Sequence, residues 1–272
     1  MHGNGPQVGN ILLQQAASES VVAPMPMKVC GAESQGQIGY MLEQCVINHL
    51  HRLRSEVPVA TLVTETIVSA DDPAFANPTK PVGPFYPEER ARKMAIESGH
   101  VMKEDAGRGW RRVVPSPELV EIVPLRAIKA LVAAGILVIC TGGGGVPIPR
   151  CADGSLSGTA AVIDKDPAAA RLARDIDVDV LLILTDVPRA SLHYRTPEQV
   201  ALTSVIIDEM QGYCAEGHFK AGSMGPKVEA CLRVARAGGA GIIASLDEAL
   251  EALEGTAGTR ITSRAAACAT RV

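Results

Sequence analysis

The sequence contains few aromatic residues and no long apolar run. Phe, Trp and Tyr together make up 3% of its 272 residues, with a single Trp. A membrane-spanning helix needs about 20 consecutive apolar residues, and no stretch of the chain approaches that length. We therefore expect no membrane partner, and the first residues do not show the pattern of a secretory leader.

The chain also lacks an excess of positive charge. It has 26 Lys and Arg against 30 Asp and Glu, a formal net charge of −4, and its basic residues are scattered along the sequence. Proteins that bind nucleic acids present a basic face to the phosphate backbone. The charge pattern therefore predicts no nucleic-acid partner.

The cysteines fit neither a zinc site nor a disulfide framework. There are seven, they are widely spaced, and none forms a CxxC pair. Several lie in apolar segments, where a small buried thiol is the ordinary explanation. We expect a cytoplasmic protein and predict no metal centre built from protein ligands.

What remains is the composition of a globular protein, with 47% hydrophobic and 21% charged residues. The length allows one large α/β domain or two lobes. Residues 2–9 (HGNGPQVG) are typical of a loop that turns into a helix, with Pro6 suited to the first helical position. Such a loop presents N–H groups to an anion, and a plain glycine-rich turn is the alternative.

Hydrophobic periodicity predicts alternating helices and strands along the chain. The predicted helices are 34–53, 119–134, 164–176, 222–237 and 246–253. The predicted strands are 57–68, 135–140, 178–188 and 240–245, of which 135–140 and 178–188 are expected to be buried. This order favours a largely parallel sheet with helices on both faces. Ligands collect at the carboxyl ends of such strands, where we expect the loops 142–145, 185–188 and 222–227.

Residues 71–118 differ in composition from the segments around them. They are rich in proline, aromatic residues and charge, which predicts an inserted, turn-rich subdomain. Trp110 and the arginines at 108, 111 and 112 are either part of a substrate lid or a solvated surface.

Three lysines lie beside Gly, Pro or Asp in loop-like segments. They are Lys80 (NPTKPVGPF), Lys165 (VIDKD) and Lys227 (GSMGPK). Any one of them alone is most simply a solvated surface residue. Together with the glycine loops they favour phosphoryl transfer, which requires anionic oxygens to be held in line and neutralised. The Walker A pattern is not present, because the glycine run at 142–145 lacks the lysine and hydroxyl that would follow it.

Eight segments resemble, in order, the motifs of the carbamate kinases within the amino acid kinase family. They are HGNGPQVGN, SQGQIGY, NPTKPVGPF, KEDAGRGWRRVVPSP, GGGGVP, AVIDKD, ILTDV and HFKAGSMGPKVEA. The resemblance implies a three-layer α/β/α sandwich with a mostly parallel central sheet and a small protruding subdomain at 71–118. It also implies reversible phosphoryl transfer between ATP and carbamate, with Mg²⁺ on the nucleotide, a homodimer, and a place in arginine metabolism.

The resemblance assigns the substrate-binding residues. Gly3, Asn4 and Gly5 would form a glycine loop that holds carbamate or the carbamoyl end. Gly143 and Gly144 would border the acceptor side. Both groups belong to the glycine-rich segments named above.

It also assigns catalytic and nucleotide-binding residues. Lys80 would close over the substrate from the protruding subdomain, and Lys165 would contact the transferring phosphoryl group. Asp166 would orient the lysines or bind Mg²⁺ through water. The nucleotide-binding lobe would span 146–272, with Lys227 neutralising the phosphates. The remaining nucleotide-binding residues would be Thr185, Asp186 and Tyr194.

One departure from the family pattern leaves alternatives open. Family members have a first strand and an LGGN-type glycine loop before the HGNGPQVG segment. We therefore expect the 272 residues to be one such domain, truncated at its N-terminus and impaired in activity. The sequence leaves open a start site set too far downstream or a genuine fragment. Two other functions also stay open: a kinase for another small carboxylate, and an inactive nucleotide- or partner-binding homologue.

Overall fold

A computed structural model of the chain describes residues 1–105, 107–151, 153–220 and 222–263. The chain divides into two compact units, Met1–Ala168 and Ala169–Val272. The boundary between the units falls within the helix Lys165–Asp175. No helix within the described ranges is both long and apolar enough to span a membrane.

The elements alternate along the chain much as the hydrophobic pattern predicts. The described helices are α1 (Gly5–Ser18), α2 (Met27–Arg52), α3 (Glu88–Ser98), α4 (Leu125–Ala133), α5 (Lys165–Asp175), α6 (Ile207–Ala215), α7 (Met224–Arg236) and α8 (Ala249–Glu254). The described strands are β1 (Val59–Thr61), β2 (Glu65–Val68), β3 (Lys80–Tyr86), β4 (Met102–Glu104), β5 (Trp110–Val114), β6 (Leu119–Ile122), β7 (Leu137–Ile139), β8 (Val146–Pro149), β9 (Val180–Thr185), β10 (Ser191–Leu192), β11 (Val200–Ala201), β12 (Ser204–Ile206), β13 (Ala240–Ser245) and β14 (Thr259–Thr262).

The first helix begins where the glycine-rich loop predicts it. Pro6 is the second residue of α1, where its missing N–H costs no hydrogen bond. The N–H of Val8 donates to the carbonyl of Asn4 at 2.9 Å, and Val8 is the buried residue of the helix. The predicted loop-to-helix turn is confirmed, with the helix starting one residue before the proline.

The single strand predicted at 57–68 is wrong, because the segment forms two strands. β1 pairs in parallel with β7, and β2 pairs in parallel with β8 and antiparallel with β6. The ladder breaks at Thr64, whose N–H and C=O both bond to the side chain of Gln35 at 2.9 and 3.0 Å. A side chain from α2 therefore bonds both backbone groups of Thr64, and the C=O of Thr64 also accepts the N–H of Val146 at 2.9 Å.

The helix predicted at 119–134 is also wrong in its first part. Leu119 and Ile122 are buried in β6, which pairs with β2. Helix α4 begins only after Pro124, whose ring suits the start of a helix. The strand predicted at 135–140 shortens to β7, and Leu137 at its start is exposed, contrary to the expected burial.

The segment 71–118 contains more regular structure than its turn-rich composition suggests. Strands β3, β5 and β4 form an antiparallel sheet in that order, with an irregularity in β3 between Val82 and Tyr86. Helix α3 connects β3 to β4. Lys80 is the first residue of β3, and α1 packs against this strand.

The second unit is a mixed four-stranded sheet in the order β12, β14, β13, β9. β13 and β9 run parallel over six residue pairs, and α7 packs on β13. Gly241 lies where a Cβ atom would overlap Cys231 of α7, so glycine permits the helix and the strand to approach closely. The strand predicted at 240–245 and the helices predicted at 164–176 and 222–237 are confirmed, and the predicted α/β class is confirmed with them.

Candidate functional site

The glycine run interlocks with the loop before α1. The N–H of Gly143 donates to the carbonyl of His2 at 2.8 Å, and a Cβ atom on Gly143 would overlap the side chain of Asn4. Asn4 in turn donates from Nδ2 to Ser34 Oγ at 2.9 Å. Gly143 has a φ of +63°, which glycine adopts at low cost. These contacts bring the predicted substrate-binding residues Asn4 and Gly143 together.

The N–H groups of the glycine run are largely used within the protein. Gly144 donates to the carbonyl of Thr141 at 3.1 Å, as Gly143 does to His2. The two glycines predicted to border the acceptor therefore offer a close backbone approach rather than free N–H donors. Gly5, the first residue of α1, has open space around the position of a Cβ atom.

A buried network holds the start of the glycine run. Thr141 has a φ of +55°, a conformation that β-branched residues rarely adopt. Its N–H donates to Thr64 Oγ1 at 2.8 Å, and Thr64 is held by Gln35. Sequence reasoning missed these three residues. The available signal was a polar residue at a position where the sequence pattern is apolar. Such a position does not show which residue its side chain will bond.

Two lysine–carboxylate pairs lie at the start of α5. Lys80 Nζ donates to Asp164 Oδ2 at 2.8 Å, and Lys165 Nζ donates to Asp166 Oδ1 at 3.1 Å. Asp164 Oδ1 also accepts the N–H of Asp166 at 3.2 Å, which caps the helix. Asp166 is only 6% exposed, whereas both lysine side chains are 39% exposed. The carboxylates thus fix the ammonium groups of two lysines whose side chains remain partly exposed.

The charge state of Asp164 follows from its surroundings. Burial alone would raise the pKa of this carboxyl, but the hydrogen bond and charge of Lys80 outweigh it. The N–H of Asp166 and the charge of Lys165 act in the same direction, so the pKa of Asp164 lies below its ordinary value. Sequence reasoning assigned Lys80, Lys165 and Asp166 to the site and missed Asp164 as the partner of Lys80.

The loop before α1 also approaches Lys165. A Cβ atom on Gly3 would lie 3.3 Å from Cδ and Cε of Lys165, so the bare backbone lies against the stem of the lysine. Burial lowers the pKa of His2, and its hydrogen bond to the Gly3 carbonyl only partly offsets this. The first unit therefore joins Gly3, Asn4, the glycine run and the two lysine–carboxylate pairs through a chain of contacts.

Arg108 and Arg111 of the segment 71–118 have their partners within that segment. Arg111 donates from Nε and Nη2 to the carbonyl of Gly83 at 3.2 and 2.9 Å. Arg108 and Arg111 both pair with Asp105, and each guanidinium lies 5.0 Å from the centre of the Phe85 ring. Arg111 therefore fastens the irregular part of β3, the strand that carries Lys80.

The second unit contains a cavity of about 340 Å³ at the carboxyl end of β9. Its lining includes all four predicted nucleotide-binding residues: Thr185, Asp186, Tyr194 and Lys227. Sequence reasoning missed the other basic side chains of the lining, Arg189, Arg195 and Lys220. Phe219 and Met224 add an apolar portion. A cavity with clustered positive charge and an apolar part suits a ligand with phosphates and an aromatic base.

Helix α7 begins at this cavity. Its N-cap residue Ser223 and first residue Met224 line the cavity, and Lys227 follows within the first turn. The N–H of Gly225 donates to the carbonyl of Lys220 at 3.0 Å, an approach that a larger residue would hinder. The N-terminus of a helix carries partial positive charge, so backbone and lysine both favour an anion here.

Residues suited to a metal ion are few. Across the described ranges, no group of three or more His, Cys, Asp or Glu side chains is arranged to hold one. Mg²⁺ commonly binds through substrate phosphates, water and one or two carboxylates. The carboxylate of Asp166 fits that limited role, and a cage built from protein ligands is not formed by these residues.

Comparisons with known proteins identify the family of the chain. The sequence profile of the amino acid kinase family matches residues 1–245. The chain is 53% identical over 264 residues to a carbamate kinase of Pyrococcus horikoshii, covering 96% of this chain and 84% of that protein. It is 47% identical over 266 residues to the carbamate kinase-like protein YqeA of Escherichia coli, covering 96% and 85%.

A solved structure extends the likeness to the fold. The carbamate kinase of Giardia lamblia bound to AMP-PNP superposes with a TM-score of 0.90 at 48% identity, covering 96% of this chain and 83% of that one. The predicted fold and the predicted kinase activity are confirmed, and the chain is a phosphotransferase. On the match of the family profile and the identity to its members, the chain belongs to the amino acid kinase family.

Proposed function

We propose that the chain is a carbamate kinase, catalysing ATP + carbamate ⇌ ADP + carbamoyl phosphate. The observation that carries the proposal is the pair of lysines, Lys80 and Lys165, each fixed by a carboxylate at the start of α5. Phosphoryl transfer needs positioned positive charge more than covalent chemistry. The identity to carbamate kinases supports carbamate as the acceptor.

The first unit provides the groups for the acceptor and the transferring phosphoryl group. We assign Lys165 to the phosphoryl oxygens and Lys80 to the substrate, because their ammonium groups are fixed and their side chains are partly exposed. Asp166 keeps Lys165 in place. Gly3, Asn4 and Gly5, with Gly143 and Gly144, shape the surface against which a small carboxylate such as carbamate lies.

The second unit provides the nucleotide site. Lys227 and the start of α7 would neutralise the phosphates, while Tyr194, Thr185 and Asp186 would line the remainder of the cavity. Mg²⁺ bound to the nucleotide would supply further neutralisation of phosphate charge. We place the lobe that binds the nucleotide within 146–272, and the structural unit beginning at Ala169 holds the whole cavity.

Assembly and compartment are part of the same proposal. A homodimer follows from the family resemblance, and sedimentation velocity of the purified chain tests it: a single species of monomer mass would contradict it. A cytoplasmic location and a role in arginine metabolism rest on the cysteine usage and the family resemblance.

The direct test is ATP formation from carbamoyl phosphate and ADP by the purified chain. Lys165→Ala should lower turnover by about 10²–10³, the usual cost of removing one group that stabilises transition-state charge. Lys129→Ala, at an exposed position of α4, is the matched control and should retain activity. Turnover with acetyl phosphate in place of carbamoyl phosphate would point to another carboxylate, and no turnover with either would point to an inactive homologue.

A further inference from the structure

His218 connects two loops that line the cavity of the second unit. One is the 189–195 loop, which carries Tyr194 and Arg195. The other is the 217–220 loop, which carries His218 itself. The backbone N–H of His193 donates to His218 Nδ1 at 3.4 Å, and the two imidazole rings meet edge to face with centres 4.5 Å apart. Only 12% of the His218 side chain is exposed.

The 189–195 loop needs such support because its backbone is strained. His193 and Arg195 have φ values of +48° and +66°, in the left-handed region that favours glycine. Residues other than glycine keep this conformation only where their surroundings enforce it. Gln199 provides one restraint by accepting the N–H of Arg195 at 2.9 Å. His218 provides another restraint by accepting the N–H of His193, the residue before Tyr194 in the sequence.

The hydrogen bonds also define which tautomer of the neutral His218 ring fits its partners. A backbone N–H can only donate, so Nδ1 must present a lone pair to His193. The proton of the neutral ring therefore lies on Nε2, which faces Glu216 Oε2 at 3.1 Å. Protonation of the ring would place an N–H on Nδ1 directly against the N–H of His193, and the contact would be lost.

We propose that His218 is a positioning residue for nucleotide binding, whose neutral ring holds Tyr194 and Arg195 against the cavity and whose protonation releases them. The inference rests on the proposed nucleotide site. Glu216 faces Nε2 of the ring, and His193 and Tyr213 meet the ring edge to face. The other charged and titratable groups that line the same cavity are Asp186, Arg189, Tyr194, Arg195, Lys220 and Lys227.

Two substitutions separate the contacts of the ring. His218→Asn places an amide oxygen near the position of Nδ1 and keeps an acceptor for His193. His218→Gln places its amide near Nε2 and keeps the partner of Glu216 while losing that acceptor. We expect the ADP dissociation constant of H218Q at about pH 8 to rise roughly three- to tenfold, the effect of one lost hydrogen bond. H218N should remain within about twofold of wild type.

The pH dependence gives a readout that a purely structural role would not move. Between about pH 8 and pH 5.5, the range in which histidines commonly change charge, wild type should lose ADP affinity relative to H218N by roughly three- to tenfold. Comparison with H218N cancels the titration of ADP itself.

Isothermal titration calorimetry of ADP binding decides the question, with thermal melting to verify folding and His51→Asn, exposed on α2, as the control. In steady-state assays H218Q should raise KM for ADP and leave kcat nearly unchanged. Equal affinity of H218N and H218Q, or a ratio of wild type to H218N that is constant with pH, would overturn the inference. A wild-type chain that binds ADP but forms no ATP would overturn the proposed reaction alone, and one that binds no ADP would overturn both.

Discussion

At the scale of single residues, Asp164 links a helix end to a catalytic candidate. Its two carboxylate oxygens serve different partners, Oδ1 the N–H of Asp166 and Oδ2 the ammonium of Lys80. One side chain therefore fixes both the start of α5 and the position of a lysine from β3. The motif VIDKD predicted Lys165 and Asp166 as residues of the site. It did not predict Asp164 as the partner of Lys80, because the two residues lie 84 positions apart and no local pattern links them.

Asp164→Asn should reduce stability in a manner that depends on pH. The folded-state pKa of Asp164 lies below its ordinary value, so the stabilisation is present above the unfolded-state pKa, about 3.9, and is lost as pH falls through the folded-state pKa. We expect a cost near neutral pH of about 1 kcal/mol, discounted because Lys80 is partly exposed. Urea unfolding at several pH values should show the difference from wild type shrinking below about pH 4.

The control for this experiment is Asp177→Asn, an exposed position with a φ of +58° that asparagine also tolerates. A difference between wild type and D164N that is the same at low and neutral pH would contradict the assignment. It would mean that the Lys80 pair contributes nothing to folding and that the cap alone is responsible.

At the scale of elements, the glycine run acts as a packing surface. Gly143→Ala should disturb the loop before α1, since the new Cβ atom would overlap the side chain of Asn4. Gly154→Ala is the matched control, because its φ is also positive at +83° but nothing lies within 4 Å. Urea unfolding should show a loss of about 1 kcal/mol for G154A, from backbone strain alone. G143A should lose a further 1–3 kcal/mol or so, from overpacking, together with most of its activity. Equal losses in the two variants would show that the contact with Asn4 is not tight.

The break between β1 and β2 leads to a second prediction at this scale. Gln35→Ala removes both bonds to the backbone of Thr64 and leaves its buried N–H without a partner, while its C=O still accepts the N–H of Val146. We expect the free energy of unfolding to fall by roughly 1–3 kcal/mol, measured by urea unfolding. Gln37→Ala, exposed on the same helix, should have little effect. A small loss in Q35A would indicate that water replaces the amide.

These elements show where sequence patterns predict structure and where they do not. Strand 240–245 and helix 222–237 are confirmed closely because long apolar periods specify buried faces that pack on each other. The segment 57–68 is equally rich in β-branched residues, yet it breaks at Thr64 because Gln35 competes for its backbone. Leu119–Ile122 has a spacing that fits a helix, and pairing with β2 overrides it. Tertiary partners decide these cases, and local patterns do not contain them.

At the scale of the whole molecule, chemistry is divided between the two units. The lysine–carboxylate pairs belong to Met1–Ala168, and the basic cavity belongs to Ala169–Val272. The family motifs predicted both groups of residues because each motif lies beside a strand end or a helix start. Arg189, Arg195 and Lys220 were not predicted, since basic residues in loops are most often solvated and only the fold brings these three to one cavity.

This division predicts how ADP should stabilise the protein. A ligand that binds only the folded state raises the free energy of unfolding by about 2.7 kcal/mol at 100 times its dissociation constant. For a protein of this size that corresponds to a rise in Tm of roughly 5–10 °C. Lys227→Ala should lower the affinity for ADP ten- to hundredfold, as expected for the loss of one charged contact. At the same ADP concentration its stabilisation should then fall to about 0.4–1.4 kcal/mol.

Lys80→Ala is the matched comparison for this measurement. Lys80 belongs to the first unit and pairs with Asp164, so its loss should lower turnover while leaving the ADP-dependent rise in Tm intact. Differential scanning calorimetry with and without ADP tests both variants under one condition. A Tm shift reduced equally in K80A and K227A would place both lysines on the nucleotide and contradict the division of roles. A full shift in K227A would instead remove Lys227 from the nucleotide site, leaving the remaining basic side chains of the cavity to hold the phosphates.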